Sequence, residues 1–407
     1  MPSSQATPRP APPPTVVERS DPSALVETAG GQTLRFNRDR EEISVNYEKQ
    51  LTTAEGVTRL EGVTVNSERG GRAYELKADS AHLTDKESQI LLEGRVRMTA
   101  NDGLVLTGDK ATYSENEGVV RVPGAVQFSR GRMSGTAVGM TYDKNQDVLF
   151  LQDQVVVTMT AGEGESAMEI TGGSAEFRRL ENNIKFDRSV RIVRDGRTMA
   201  ATNGLARLAE DGETLQAIEL RAGSSITDAP SGPGGLERMS SYDMDLRYAA
   251  DGKTLEHALL AGDAAIQVAG PKGEAGRRIT ANTIDVALDA GGAPSAMTAR
   301  ENVVLTIPAA SAASALRTVS AQALEATAEG GQGLRNAHFT GDVQYRERGS
   351  SIDRAARSGV LDLALAPGLG AIQEARFSRA VRFEESKMAA DAAAARYILD
   401  KGTLELS

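Results

Sequence analysis

The chain has 407 residues and a net charge of −10, with 40% hydrophobic and 25% charged residues, so it has material for a real core and is not a disordered polymer over most of its length. Only 4% of residues are aromatic, none is Trp, and the balance is acidic, which argues against a protein that reads nucleic-acid bases. Cys is absent, removing disulfides, thiolate metal sites and thiol catalysis, and no apolar run reaches the ~18 residues a bilayer span needs.

Residues 1–30 open with Pro8, Pro10, Pro12, Pro13 and Pro14 and lack the apolar stretch of a signal peptide. They are predicted to be a disordered, extended Pro-rich linker. From residue 31 onward a two-part unit recurs. Its first part is a strand with small or apolar residues at alternate positions, often closed by an aromatic. Examples are Ala81-His82-Leu83, Ala111-Thr112-Tyr113, Met140-Thr141-Tyr142, Ala175-Glu176-Phe177 and Leu246-Arg247-Tyr248. A polar turn follows, as at Asp143-Lys144-Asn145 or Asp251-Gly252-Lys253, where positive φ is often required.

The second part reads Leu-x-Gly-x-Val-x-apolar, as in Leu92-Glu93-Gly94-Arg95-Val96-Arg97-Met98 and Phe339-Thr340-Gly341-Asp342-Val343-Gln344-Tyr345. The Val position falls at 96, 126, 155, 190, 225, 264, 303, 343 and 381, roughly 36 residues apart, with Ser225 and Ala264 as substitutes. The Gly before it admits a bulge or bend, or spares a crowded corner a side chain. Both readings are structural. Within each part the period is two, the pattern of an antiparallel sheet with one wet side. About eleven such units are expected. The last, from Met388, stops before its Gly-x-Val, which suggests a larger parent protein.

Near Pro230-Ser231-Gly232-Pro233-Gly234-Gly235 the spacing lengthens, from roughly 29–35 residues to roughly 38–40. Two segments of one continuous stack are expected, 31–228 and 236–407. Convergent catalytic groups are not found. His82, His257 and His338 have no metal-ligand spacing, and the loop Gly270-Pro271-Lys272-Gly273-Glu274-Ala275-Gly276 lacks the Gly-Lys-Ser/Thr ending of a phosphate loop. Asp79, Asp109 and Asp243 read as solvated strand-edge charges. No enzyme activity and no cofactor are expected.

The pairing of Gly108-Asp109-Lys110-Ala111-Thr112-Tyr113 with Val122-Pro123-Gly124-Ala125-Val126 resembles the OstA-like repeats of the lipopolysaccharide-transport proteins LptA and LptC. The pairing of Ala78-Asp79-Ser80-Ala81-His82-Leu83 with Leu92-Glu93-Gly94-Arg95-Val96 does so too. The resemblance covers most of residues 34–407. It implies an all-β fold, an elongated antiparallel β-jellyroll (a β-taco) of two facing sheets, with an LptC-like first segment and an LptA-like second one. It also implies a periplasmic bridge that carries lipopolysaccharide from inner to outer membrane, acyl chains inside and sugars outside. The implied partners are lipopolysaccharide or another lipid, neighbouring bridge proteins joined by edge-strand pairing, and an inner-membrane ABC transporter complex.

LptC also implies an N-terminal membrane anchor, which these residues do not contain. Carried over repeat by repeat, the groove is lined by Val96, Met98, Val126, Phe128, Val155, Val157, Val190, Ile192, Ile266, Val268, Val303, Leu305, Val343, Tyr345, Val381 and Phe383. At one strand per repeat in each sheet it would run roughly 50 Å. Two other readings stay open: an AsmA- or TAM-type phospholipid bridge, and a structural β-repeat stalk with a filled core.

Overall fold

The computed structural model describes residues 21–407 apart from positions 22, 38–39, 55–56, 70, 85–88, 115, 162–166, 213, 229–234, 271–275, 310–313, 329–332, 351, 367–370 and 387. The described residues form antiparallel β-structure, without an α-helix. Two compact units separate at residues 1–117 and 118–407.

The first unit is a meander of β1 (Ala24–Asn37), β2 (Arg40–Thr53), β3 (Thr58–Arg69), β4 (Arg72–Thr84), β5 (Gln89–Ala100) and β6 (Val105–Ser114), each paired with the next. β1 starts at Ala24 and pairs with β2 from there. Residues 24–30, expected as linker, are therefore strand: backbone pairing with β2 holds Ala24-Leu25-Val26-Glu27-Thr28-Ala29-Gly30, a stretch with little apolar periodicity of its own. Residues 1–20 lie outside the described ones.

The second unit begins with β7 (Val119–Arg130), β8 (Met133–Asp143) and β9 (Val148–Met159). Ten shorter strands follow: β10 (Met168–Gly172), β11 (Ser174–Arg178), β12 (Asn183–Asp187), β13 (Val190–Arg194), β14 (Arg197–Ala201), β15 (Asn203–Leu208), β16 (Leu215–Arg221), β17 (Ser224–Thr227), β18 (Leu236–Ser241) and β19 (Asp243–Tyr248). The rest are β20 (Leu255–Val268), β21 (Arg277–Leu288), β22 (Pro294–Ile307), β23 (Leu316–Ala328), β24 (Leu334–Arg348), β25 (Asp353–Leu365), β26 (Ile372–Glu385), β27 (Met388–Ile398) and β28 (Thr403–Leu406).

The short strands show how the unit is layered. β9, β11, β12, β15, β16, β19 and β20 pair in that order through one half of each chain segment. β9, β10, β13, β14, β17, β18 and β20 pair in that order through the other half. Each long strand, or each consecutive pair of short ones, thus crosses a corner and contributes to two layers. They face one another. Phe128 of the second layer meets Phe177 of the first edge-to-face at 5.9 Å between ring centroids, and Tyr345 meets Phe377 at 5.7 Å.

The corner is made by the two residues before the Val position, often but not always Gly-x. Between the pairs Thr340↔Val360 and Val343↔Ser358, β24 carries two residues where β25 carries one. The extra residue is a β-bulge, which bends a strand and raises its twist. At four corners of the second unit both bulge residues take left-handed φ: Gly341 and Asp342 at 81° and 50°, Gly262 and Asp263 at 76° and 50°, Glu301 and Asn302 at 63° and 55°, Arg379 and Ala380 at 66° and 58°. Gly meets this requirement without a Cβ penalty of roughly 1–2 kcal/mol. A Cβ on Gly341 would also lie 2.8 Å from the Cβ of Gln322. Gly341→Ala is therefore expected to cost about 1–2 kcal/mol. Ala380→Gly, relieving φ of 58°, should be neutral to mildly stabilising, since the freer unfolded glycine offsets part of the gain. Guanidinium unfolding of the two variants checks the pair, and equal destabilisation by both would contradict this account of the corner.

Two expectations change. The corner of the sixth repeat falls at Ala222 and Gly223, with φ of 63° and 84°, so Ser224, 2% exposed, takes the inward place and Ser225 does not. Moreover, both parts of a repeat run through both layers, so each repeat adds two strands to a layer. The second layer of the second unit holds sixteen described strand segments, which at about 4.8 Å each gives roughly 70 Å for that unit alone, longer than the 50 Å expected. Pairing of β17 with β18 continues the layer on both sides of residues 229–234.

Candidate functional site

Inward side chains alternate along each half-strand and skip a beat at the corner. On β24 the buried set is Leu334, Ala337, Phe339, then Val343, Tyr345 and Glu347. All sixteen residues expected to line a groove are inward and no more than 8% exposed. Val96 and Met98 lie in the first unit and the other fourteen in the second. The fourteen of the second unit stand in its second layer, just past the corner. At roughly 1.5–3 kcal/mol for each fully buried aliphatic side chain, this stripe is a main source of stability.

The opposite wall is equally apolar and was not anticipated: Leu151, Phe177, Leu220, Leu260, Ile284 and Phe339 are each 7% exposed or less. Its signal was available, because the alternation in Ala175-Glu176-Phe177 or Leu246-Arg247-Tyr248 marks the same inward face.

Opposite the corner the two layers end in separate rows of turns, and the interior opens between these margins. In the second unit a cavity of about 280 Å³ lies there. Its floor is Met133, Met159, Phe177, Ile184 and Leu208, inward residues that, Phe177 apart, are only half-buried. Arg130, Arg132, Arg178 and Arg179 surround its mouth, with Glu210 and Asp211 on one side. An apolar floor beneath a charged rim suits an amphipathic ligand with an apolar tail.

The outward faces carry cross-strand ion pairs. His257 Nε2 sits 2.7 Å from Asp285 and His338 Nδ1 2.6 Å from Asp362, while His82 Nε2 is 3.7 Å from Glu93. Glu374, bonded by Arg396 and Arg376, is held down at about 2. Such exposed pairs contribute about 0–1 kcal/mol each. Asp79 is exposed within β4 and Asp243 opens β19, and both are bonded to corners. Asp79 faces the Arg95 guanidinium of a corner at 2.6–3.0 Å, which keeps its carboxyl below the ordinary value. Asp243 accepts the Ala222 amide of another corner at 3.1 Å. Among the described residues no acidic, His or Cys cluster is arranged to hold a metal. The loop expected to be unlike a phosphate site, 270–276, lies mostly outside the described residues.

Inward polar groups gather at the other end of the second unit. Tyr345 and Tyr397 are buried, and both phenols are pushed above their ordinary value by burial first and the Glu347 charge second. Glu347 is 1% exposed, and its Oε1 accepts from Arg317 Nη2 at 2.8 Å and Nε at 3.0 Å. At the margin near the cavity's end of the unit Tyr248 is likewise buried, and burial pushes its phenol up to about 12 against the opposing charges of Arg197 and Arg194.

Compared with known families, residues 50–159 match the one described as "Lipopolysaccharide-assembly, LptC-related". No curated protein matches the chain. The matched stretch runs from β2 to the end of β9 and carries three consecutive Val corners, at 96, 126 and 155. The segment 50–159 thus belongs to the LptC-related lipopolysaccharide-transport family, and the same corner-and-margin fold continues beyond it.

Proposed function

We propose that the interior between the two layers carries the acyl chains of lipopolysaccharide, and that the protein is a non-catalytic component of a periplasmic bridge from inner to outer membrane. The observation that carries this reading is the cavity at the margin, where half-buried Met133, Met159, Ile184 and Leu208 lie beneath arginines. A stripe of inward Val, Ile and Phe side chains runs along the same unit. Acyl chains gain about 0.8 kcal/mol per methylene removed from water, while phosphates and sugars stay outside at the polar margins. Successive strands offer nearly equivalent apolar walls, so sliding along them changes the energy little. Direction must be supplied by a partner, an inner-membrane ABC transporter complex in this reading.

The terminal strands support the bridge. Among the described residues β1 pairs with β2 alone and β28 with β27 alone, and in this reading their outer edges take a strand from a neighbouring bridge protein. In this reading 31–228 is the LptC-like segment and 236–407 the LptA-like one. Lipid extracted from the natively purified protein tests the proposal by mass spectrometry. Lipid A-bearing species are expected. Phospholipid alone would point to a different lipid bridge, and a lipid-free protein would leave a structural stalk.

A further inference from the structure

Along most of the second unit the inward positions at the open margin are apolar or half-buried, with Arg277 at the start of β21 a buried exception. Four successive strands depart from this. β23, β24, β25 and β26 place Arg317, Glu347, Arg354 and Glu385 inward, where registers Arg317↔Glu347, Glu347↔Arg354 and Arg354↔Glu385 make them direct neighbours. Their signs alternate. Arg354 Nε donates to Glu385 Oε1 at 2.7 Å, and Arg354 Nη1 stands 3.9 Å from Glu347 Oε2. An ionic ladder inside an apolar fold carries a desolvation penalty that packed apolar residues would avoid, so stability alone is a poor reason for it.

The ladder is joined to the opposite layer. Tyr397 lies on the half of β27 that pairs with Ala375 in the other layer. Its hydroxyl crosses the interior, donates to Glu347 Oε2 at 3.2 Å and accepts from Arg354 Nη1 at 2.6 Å. The Arg354 guanidinium also sits 5.5 Å from the Tyr397 ring centre, within cation–π range. At this end of the unit the two margins are bonded together, whereas between β7 and β15 the margin opens into the cavity.

We propose that Tyr397, Glu347 and Arg354 form a latch that closes the margin at the C-terminal end of the second unit and gates the passage of an amphipathic lipid. This rests on the lipid-carrying reading in one respect: a molecule with its tail inside and its head outside slides only where the margin is open. A hydrogen bond across the margin stops the head even where the tail would fit. Opening the latch exposes the charged ladder to water, which lowers the cost of separating its charges, so the closed and open arrangements are alternatives of a two-state element.

The test uses the full chain, which has no cysteine of its own. Spin labels are attached to Gln344→Cys in one layer and Ala364→Cys in the other, with and without Tyr397→Phe. That substitution keeps the ring and removes only the cross-layer hydroxyl. A narrow interlayer distance that broadens to longer values in the variant is expected. An unchanged distribution would overturn the latch, with no lipid involved. In parallel, a photo-crosslinker replaces Val319, inward on β23, or Val126, and the protein is loaded with purified lipid A. Tyr397→Phe should raise crosslinking at 319 about ten-fold, the equivalent of one charged hydrogen bond lost, and leave 126 unchanged. Crosslinking at 126 with no rise at 319 would reject the gate while keeping the lipid reading. Silence at both positions would reject the lipid reading, and the distance measurement would still decide whether the margin is latched.

Discussion

Val126→Asp should destabilise the second unit by about 3–5 kcal/mol at pH 8, the usual cost of a buried charge without a partner, and should eliminate lipid loading near β7. Val126 is 1% exposed and inward, beside Phe128 and just past a corner, so the carboxylate has no route to water. Burial disfavours the ionised form and raises the folded-state pKa above the unfolded one. The variant is then penalised most at high pH, and the penalty shrinks as the pH falls toward the range where the carboxyl protonates. Guanidinium unfolding at pH 8 and pH 5 checks both sign and size. A variant as stable as the parent at both values would mean that Val126 is not enclosed.

Phe377→Ala should cost about 3–5 kcal/mol, and locally. Phe377 is 2% exposed and meets the Tyr345 ring edge-to-face at 5.7 Å across the interior, so truncation leaves a void between the layers that neither wall can fill without moving. In a ladder where each strand touches mainly its neighbours, stability is a sum of neighbour contributions. Hydrogen exchange should therefore speed up in β24–β28 and remain near its parent rate in β7–β15. Uniform acceleration over all strands would show that the second unit opens as a whole.

Much of this architecture was legible in the residues. The period-two alternation and the recurring Gly-x-Val gave the strands, the inward face and the sixteen-residue stripe, because a buried face constrains every second position. The choice between bulge and crowded corner was not legible, since Gly suits both. The structure shows that both hold at Gly341, which is part of a two-against-one bulge and lies against Gln322. The sixth repeat misled because Ala222-Gly223 places its glycine second in the bulge rather than first, which moves the inward position from Ser225 to Ser224. Layer length was underestimated because a sequence repeat does not reveal that each strand serves two layers. The ladder of Arg317, Glu347, Arg354 and Glu385 was invisible for a similar reason. Each residue ends a strand and looks solvated, and strand register alone brings the four together.

The central claim is an interior that holds acyl chains, and the most direct measurement places a photo-crosslinkable residue at Val126 or at its exposed neighbour Gln127, in cells making lipopolysaccharide. The account predicts lipopolysaccharide adducts at 126 and none at 127. Silence at 126 in a folded protein would contradict it and return the chain to a filled structural stack.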